Sequence, residues 1–194
     1  MTAGSLSPVS RDDEAQAIAT LVLAFAADPV ERWLYPRPRD YLLYFPEFLI
    51  AFGGQAFVRE TVWQAADHAA VALWLPPGSE PDGEAIVTLL TDTVAAEKHP
   101  DVSAVLDQMA AAHPTYPHWY LPWFGVDPAM QGHRLGTNLM TSCLEVVDAS
   151  HLPAYLETPN PRNIPFYERQ GFGIVGRAVA GSCPPITFML RQAS

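Results

Sequence analysis

The stretch VDPAMQGHRLGTNLM, residues 126–140, determines how the rest of this sequence is interpreted. An apolar run that ends at Gly125 and Val126 precedes a predicted turn at Asp127-Pro128, and an amphipathic run over residues 135–147 follows it. A strand, a glycine turn and the start of a helix form an anion site, because unpaired N–H groups converge there and the helix dipole adds positive potential. Each such interaction contributes only about 0.3–2 kcal/mol. The pattern therefore favours a polyanion, such as a pyrophosphate, held by several amides together.

The glycine spacing excludes two common phosphate-binding motifs. No Gly-Lys-Ser/Thr follows Gly132 as a P-loop requires, and the GxGxxG pattern of dinucleotide-binding folds is absent. The run QGHRLG, residues 131–136, instead resembles the Q/R-x-x-G-x-G/A loop of the GNAT N-acetyltransferase superfamily, which holds the pyrophosphate of acetyl-CoA. Gln131 and Gly136 match that loop, whereas Arg134 stands where its middle glycine is usual.

A second stretch, LETPNPRNIPFYERQGF over residues 156–172, resembles the downstream element of the same superfamily. That element is a strand, an asparagine, and a helix that carries a tyrosine and ends in Gly-Phe; here Asn160, Tyr167 and Gly171-Phe172 stand at the expected spacing. Two motifs in the right order are far more specific than either alone. The wording of VDPAMQG, PAYLET and PRNIPFYERQGF further resembles the branch of the superfamily that includes puromycin N-acetyltransferase.

This resemblance implies an α/β (α+β) fold of GNAT type. Its expected core is a mixed, mostly antiparallel central sheet flanked by helices, with a splayed pair of central parallel strands. We expect residues 1–194 to form one domain, since 49% of them are apolar and suffice for a sizeable core. Its expected parts are an acceptor-side N-terminal part (1–54), a hairpin (61–76), a helical insertion (81–113), an acetyl-CoA-binding core (117–172) and C-terminal strands (173–194).

Periodicity and turn residues predict the individual elements. Helices are predicted over residues 10–27, 41–52, 83–98, 102–112, 136–150 and 162–170, and strands over 61–65, 69–75, 118–126, 154–157, 172–177 and 185–190. Residues 5–9 leave the only room for a strand before the first helix, and residues 30–38 are predicted to be irregular. His68, at the tip of the hairpin, is predicted to be a solvated turn residue. Pro122 cannot donate to a strand ladder, which is compatible with the bulge and splay that the resemblance implies there.

Composition and charge limit the partners of the chain. The formal charge of −10 disfavours nucleic acid and anionic membrane and suits a cationic amine, although acidic surfaces also serve solubility. No apolar run approaches the roughly 20 residues of a membrane span, and the N-terminal residues lack the order of a signal peptide. Cys143 and Cys183 form no metal motif or disulfide framework, so we expect no metal and a cytoplasmic location.

By resemblance, the chain is an acetyl-CoA-dependent N-acetyltransferase that acts on the primary amine of a small molecule. The expected cofactor contacts are Phe124, Gly125, Val126, Gln131, Gly132, His133, Arg134, Leu135, Gly136, Thr137, Asn160, Asn163 and Tyr167. The backbone of Phe124 and Val126 would pair with pantetheine, the amides over residues 133–137 would hold the pyrophosphate, and Asn160 would orient the donor or the loop. Arg134 would crowd the phosphates if its backbone needs a positive φ, or turn outward and pair with one of them; we favour the second.

Acyl transfer from a thioester to an amine needs a neutral amine and a proton for the leaving thiolate. Tyr167 has the family's position for the proton donor, and a phenol with a pKa near 10 suits an alkyl thiolate. Glu157 ends a strand beside the reaction centre and is the candidate base, although capping of the next segment or pairing with an arginine explains it equally well. The candidate acceptor contacts are Asp28, Glu31, Trp33 and Tyr35, which helix capping and ordinary packing explain equally well.

Two other functions stay open. An acidic protein could attract basic peptides, which would make the chain a protein N-terminal or lysine acetyltransferase. Alternatively, the departure at Arg134 is typical of a degenerate family member that binds CoA without catalysis, whereas the intact Asn160 and Tyr167 argue against that. A homodimer is possible, since homodimers are frequent in this superfamily.

Overall fold

Seven strands form one mixed sheet in the computed structural model, which describes residues 7–193. The strands are β1 (Ser7–Pro8), β2 (Val62–Ala65), β3 (Ala70–Leu75), β4 (Trp119–Val126), β5 (Ala154–Thr158), β6 (Gly173–Ala178) and β7 (Ile186–Arg191). The helices are α1 (Glu14–Ala24), α2 (Pro29–Leu34), α3 (Pro38–Gly53), α4 (Gln55–Val58), α5 (Gly83–Thr93), α6 (His99–Ala112), α7 (Leu135–Asp148) and α8 (Ile164–Arg169). Their order confirms the α/β class expected from the sequence.

The strand order is β1-β2-β3-β4-β5-β7-β6. Every neighbouring pair is antiparallel except β4 and β5, which are parallel at the centre of the sheet. The mostly antiparallel sheet with one central parallel pair, expected by resemblance, is thereby confirmed. The closing pair also forms as expected, with β7 inserted between β5 and β6.

A bulge interrupts β4 at Pro122. Leu73 pairs with Trp123 and Leu75 with Tyr120, so β4 carries one residue more than β3 between these two pairs. Proline has no N–H to give to a ladder and is therefore tolerated at such a bulge. The extra residue also shifts the alternation of side chains, which places Tyr120 and Trp123, three positions apart, on the same face of the sheet.

The two central strands separate beyond this bulge. Their parallel pairing runs from Trp119 with Ala154 to Leu121 with Leu156, and among the described residues it goes no further. The last two residues of β5, Glu157 and Thr158, pair with β7 on their other side. In the part of the chain that the structure describes, the C-terminal half of β4 therefore has no strand pairing on the β5 side, as the splay predicted by resemblance requires.

Two hydrophobic clusters lie on opposite faces of the sheet. One gathers α1, α3, α5 and α6 around Phe45 and Trp123, and the other gathers α7 and α8 around Trp74 and Leu139. The rings of Phe45 and Trp123 meet edge-on, with their centroids 5.6 Å apart. No helix of the described residues is long and apolar enough to cross a membrane.

The prediction of irregular chain over residues 30–38 is wrong in its first half, because α2 begins at Pro29. The carboxylate of Asp28 accepts hydrogen bonds from the N–H groups of Val30 and Glu31, at 3.0 and 3.3 Å, and so caps the new helix. Proline at the first helical position adds a second start signal. An Asp-Pro pair thus both follows one helix and begins the next.

Smaller differences concern the N-terminal half. The first helix is shorter than residues 10–27, since a 3₁₀ turn occupies Arg11–Asp13 and α1 runs over Glu14–Ala24; helix α4 is not expected from the sequence. Strand β1 pairs with β2 as a two-residue piece, and the rest of the strand expected over residues 5–9 lies partly outside the described residues.

His68 is not a solvated turn residue. It is only 7% exposed, and neither of its ring nitrogens has a hydrogen-bond partner among the described residues. Ala66, Asp67 and His68 all have positive φ values, between 52° and 65°. The hairpin therefore turns through three consecutive left-handed residues, a conformation that the Asp-His pair alone does not indicate.

A close approach of α1 to β4 makes Gly125 sensitive to substitution. A Cβ atom at Gly125 would lie 2.7 Å from the Cβ of Ala24 and 3.0 Å from Cδ2 of Leu21. We expect Gly125→Ala to lower the free energy of unfolding by about 1–3 kcal/mol through overpacking. Urea titration checks this, with Gly173→Ala as the control, because a Cβ there meets nothing nearer than the Leu190 carbonyl oxygen at 3.9 Å. Equal stability of the two variants would contradict the packing described.

Candidate active site

A cavity opens where β4 and β5 separate. It holds about 880 Å³ of empty space, part of it open to solvent, and α2, α3, α6, β4, β5 and α8 contribute to its lining. The lining is chiefly apolar and aromatic; its ionisable or hydrogen-bonding side chains include Asp28, Glu31, Glu157, Asn163 and Tyr167. An apolar cavity with a few converging polar groups is the usual form of a small-molecule site.

Glu157 lies near the end of β5, with its side chain only 8% exposed. The hydroxyl of Tyr120 donates a hydrogen bond of 2.6 Å to its Oε2 atom. Burial raises the pKa of Glu157 to about 7, and the Tyr120 hydrogen bond opposes part of that rise. Its partner is therefore a phenol on the neighbouring strand instead of an arginine, and the carboxyl is poised to take up and release a proton near neutral pH.

Two histidines continue this cluster toward solvent. Nδ1 of His118 lies 2.8 Å from the Tyr116 carbonyl oxygen. A carbonyl oxygen can only accept a hydrogen bond, so Nδ1 carries the proton of the neutral imidazole and Nε2 carries none. Nε2 of His113 lies 3.0 Å from that nitrogen and therefore donates to it. This leaves Nδ1 of His113 unprotonated, 4.0 Å from Oε1 of Glu157. Burial, together with neighbouring His118, lowers the pKa of His113 to about 4.

Tyr167 enters the cavity from α8 and is 7% exposed. Burial, with a smaller contribution from the negative charge of Asp28, raises the pKa of its phenol well above the ordinary value. The hydroxyl group therefore stays protonated at neutral pH and is available as a donor. Glu157 and Tyr167, which the sequence singles out as base and acid, line the same cavity.

The loop before α7 presents its backbone to solvent. Gly132 and Arg134 have φ values of +81° and +62°, and α7 begins directly afterwards at Leu135. A left-handed conformation costs a non-glycine residue about 1–2 kcal/mol, so Arg134 keeps the backbone that glycine would adopt more easily. The side chain of Arg134 is exposed. Gly136 is needed for another reason, since a Cβ there would lie 3.1 Å from Cγ2 of Val126.

The other residues named from the sequence fall into two groups. Trp33, Phe124 and Asn163 line the cavity, whereas the Tyr35 hydroxyl forms a hydrogen bond of 2.9 Å with Thr93 Oγ1 outside that lining. Asn160 accepts a hydrogen bond of 3.1 Å from the N–H of Arg162 and so begins the 3₁₀ turn Pro161–Asn163. No group of three or more His, Cys, Asp or Glu residues in the described chain could hold a metal ion.

Sequence reasoning missed three residues of this site. Tyr120 becomes recognisable only when the bulge places it on the cavity face of β4. His113 and His118 flank the segment PTYP before the central strand, and only the fold brings His113 toward Glu157. Two histidines five positions apart before a central strand were the available signal.

Comparisons with known proteins agree with this architecture. A model of the family described as "Acetyltransferase (GNAT) family" matches residues 62–172, more than half of the chain. An uncharacterized N-acetyltransferase of Schizosaccharomyces pombe is 27% identical over 191 residues, which cover 84% of this chain and 72% of that protein.

Two solved structures show the same fold at low identity. The first is described as histone acetyltransferase HPA2 and related acetyltransferase, from Corynebacterium glutamicum; its TM-score is 0.66 at 20% identity, over 98% of this chain and 97% of that chain. The second is the polyamine N-acetyltransferase of Drosophila melanogaster, with a TM-score of 0.59 at 12% identity, over 97% of this chain and 99% of that chain.

The raised pKa of Glu157 makes the stability of the fold depend on pH. Its ordinary value is 4.5 and its value in the folded protein is about 7, so between these values the folded chain binds more protons than the unfolded chain. The free energy of unfolding should therefore fall as the pH rises through this window. Glu157 accounts for at most about 3 kcal/mol of the fall. Urea unfolding of the native protein and of Glu157→Gln at several pH values measures how steeply the free energy of unfolding falls. An equally steep fall in the variant would contradict the raised pKa of Glu157.

Proposed function

Since the chain belongs to the acetyltransferase (GNAT) family and is an acyltransferase, we propose that it transfers an acetyl group from acetyl-CoA to the primary amine of a small molecule. The observation that carries the proposal is one cavity, at the separation of β4 and β5, that contains both a carboxyl with a pKa near 7 and a protonated phenol. These are the two proton-transfer groups that attack of an amine on a thioester requires.

The separated half of β4 supports the donor site. The backbone of Phe124 and Val126 points toward β5, because Gly125 between them pairs with Val71 of β3, and it can pair with the amide groups of pantetheine as one strand pairs with another. The Val126 carbonyl oxygen accepts a hydrogen bond of 3.1 Å from Gln131 Nε2, which pantetheine would replace. The amides over residues 133–137, at the start of α7, would hold the pyrophosphate, with Gln131, His133, Leu135 and Thr137 contributing to this site. The exposed guanidinium of Arg134 suits a phosphate geometrically. Acetyl-CoA supplies the activated acetyl group.

The residues of the cavity divide the proton transfers between them. Glu157 removes a proton from the bound ammonium, which leaves a neutral nitrogen able to attack the thioester carbonyl. The new C–N bond forms as the C–S bond breaks, and Tyr167 donates its proton to the departing sulfur. The nitrogen, which still carries one proton too many, returns a proton to the Tyr167 phenolate. Each turnover thus leaves one net proton on Glu157, and Glu157 must lose that proton before it can act as a base again.

The two histidines give that proton a route to solvent. His113 Nδ1 lies 4.0 Å from Glu157 Oε1 and would accept the proton when the two atoms come within hydrogen-bond distance. The proton on His113 Nε2 would then pass to Nε2 of His118, 3.0 Å away. Placing the proton on His113, with its pKa near 4, instead of on Glu157 costs about 4 kcal/mol. That cost is small against the barrier of about 16 kcal/mol for a turnover near 10 s⁻¹. The relay is therefore fast enough.

The shape of the cavity favours a small acceptor over a protein chain. Its apolar lining, with Trp33 and Phe124 at its walls, can enclose an apolar amine, and the nearby charge of Asp28 favours a cation. The Tyr35 hydroxyl forms its hydrogen bond with Thr93 Oγ1 outside the lining. A non-catalytic CoA-binding protein would have no use for a buried carboxyl with a pKa near neutrality.

Tyr167→Phe tests the acid directly. The variant keeps the packing of the ring but removes the donated proton, so kcat should fall by about 10²–10⁴-fold, with little change in KM for acetyl-CoA. Thiol release over a panel of small amines measures both constants. Tyr44→Phe, on α3 outside the cavity lining, is the control and should keep its kcat. Full turnover by Tyr167→Phe would remove Tyr167 as the acid, and native turnover with peptides alone would favour a protein acetyltransferase.

His113→Phe tests the relay. Without the imidazole the proton on Glu157 is released more slowly, and kcat should fall by about tenfold, equivalent to about 1.4 kcal/mol. Added imidazole should restore the rate in the variant and leave the native enzyme unchanged, which a purely structural defect would not allow. A native rate in His113→Phe, or a lost rate that imidazole does not restore, would contradict the relay.

A further inference from the structure

One carboxyl of the cavity has no role in the mechanism above. Glu31 lies in α2, is 4% exposed and lines the cavity. Its Oε2 atom is buried and has no hydrogen-bond partner among the described residues. Burial, with a smaller contribution from Asp28, raises the pKa of Glu31 well above the ordinary value.

A buried carboxyl without a hydrogen-bond partner destabilises the fold whether it is ionised or neutral. An ionised carboxylate removed from water loses several kcal/mol unless a cation compensates it, and a neutral carboxyl still leaves a buried polar oxygen unpaired. Buried polar groups are normally hydrogen-bonded in folded proteins. An unpaired carboxyl that faces an open cavity is therefore placed for a ligand.

Residues 7–193 form no ion pair with Glu31 or Asp28. Lys98, the single lysine of the sequence, donates its Nζ proton to the Trp33 carbonyl oxygen at 2.5 Å and lies over the Trp33 ring. One carboxylate oxygen of Asp28 caps α2, and the carboxylate adds a second negative charge near Glu31.

The carboxyls of Glu31 and Asp28 form a centre separate from Glu157. Glu31 lies on α2 and Asp28 caps that helix, whereas Glu157 lies on β5 and accepts its hydrogen bond from Tyr120 of β4. Burial raises the pKa of Tyr35 and Tyr41, and the negative charge of Glu31 adds to both rises. The charge of Asp28 adds in the same way to the raised pKa of Tyr167. One largely apolar cavity therefore contains two acidic centres, of which only the one at Glu157 leads to the histidines.

We propose that Glu31, supported by Asp28, binds a cationic group of the acceptor that is distinct from the nitrogen that receives the acetyl group. The reacting nitrogen must give up its charge, and a carboxylate that holds an ammonium ion raises the pKa of that ammonium. Glu31 therefore suits a nitrogen that stays charged, and Glu157 suits the nitrogen that reacts. The acceptor is accordingly an apolar diamine, with two basic nitrogens joined by an apolar spacer. This inference rests on the proposed function.

Binding of α,ω-diaminooctane and octylamine, measured by isothermal titration calorimetry, tests the second cation site without requiring turnover. The native protein should bind the diamine at least about tenfold more tightly than the monoamine, because a charge-assisted hydrogen bond to a buried carboxylate is gained. Glu31→Gln should abolish that difference, because the second nitrogen of the diamine then meets no carboxylate. Glu84→Gln, an exposed acid on α5, removes the same charge and should keep the difference.

Asp28→Asn serves as the second variant, since asparagine can still cap α2 while losing the charge; it should reduce the preference for the diamine. Equal binding of the two amines by the native protein, or an undiminished preference in Glu31→Gln, would overturn the cation site. Thiol release measured in parallel separates the two proposals. Acetylation of monoamines without any diamine preference would refute only the cation site, whereas a Glu31-dependent diamine preference without acetylation of any amine would refute only the proposed acetyl transfer.

Discussion

Pro122 has no N–H group to donate to a neighbouring strand, and the geometry of the site depends on this missing hydrogen-bond donor. Strand β4 bulges there against β3, and its pairing with β5 ends one residue earlier, at Leu121. The bulge turns Tyr120 and Trp123 to the same face, so that one holds Glu157 and the other packs the aromatic core beneath the cavity. The separation also leaves the end of β4 without a paired strand on its β5 side among the described residues, which is where a donor with amide groups can bind.

Electrostatics in this cavity follow from burial more than from charge pairing. Asp28, Glu31 and Glu157 all have raised pKa values, and burial is the largest cause in each case. Retaining three carboxyls in an apolar cavity costs stability, which is typical of functional groups and unusual for structural ones. Glu157 accepts a hydrogen bond from the Tyr120 phenol, whereas Oε2 of Glu31 has no hydrogen-bond partner in the described part of the chain and is placed for a ligand.

Most helices and strands could be predicted because they depend on local patterns, and the sheet topology could be predicted because two motifs resemble those of the GNAT superfamily. The strand periodicity, the glycine turn before α7 and the Asn-Tyr spacing after β5 need no long-range information. Tyr120, His113 and the cavity position of Glu31 depend instead on the β4 bulge and on the packing of α2 and α6 against the sheet. A one-residue shift of register changes the face of every following side chain. The start of α2 is hard to predict because an Asp-Pro pair after a helix indicates its end, whereas here Asp28 also caps the next helix and Pro29 begins it.

Calorimetric titration with acetyl-CoA, CoA and ATP tests most directly whether the separated strands and the loop before α7 form a donor site. We expect micromolar binding of acetyl-CoA and CoA, and binding of ATP at least about tenfold weaker, a difference of about 1.4 kcal/mol, because ATP lacks the pantetheine arm that would pair with β4. Equal binding of all three would assign the site to the phosphates alone. Failure of both CoA forms to bind would contradict the account at its centre, since neither the unpaired edge of β4 nor the left-handed Arg134 would then serve a cofactor.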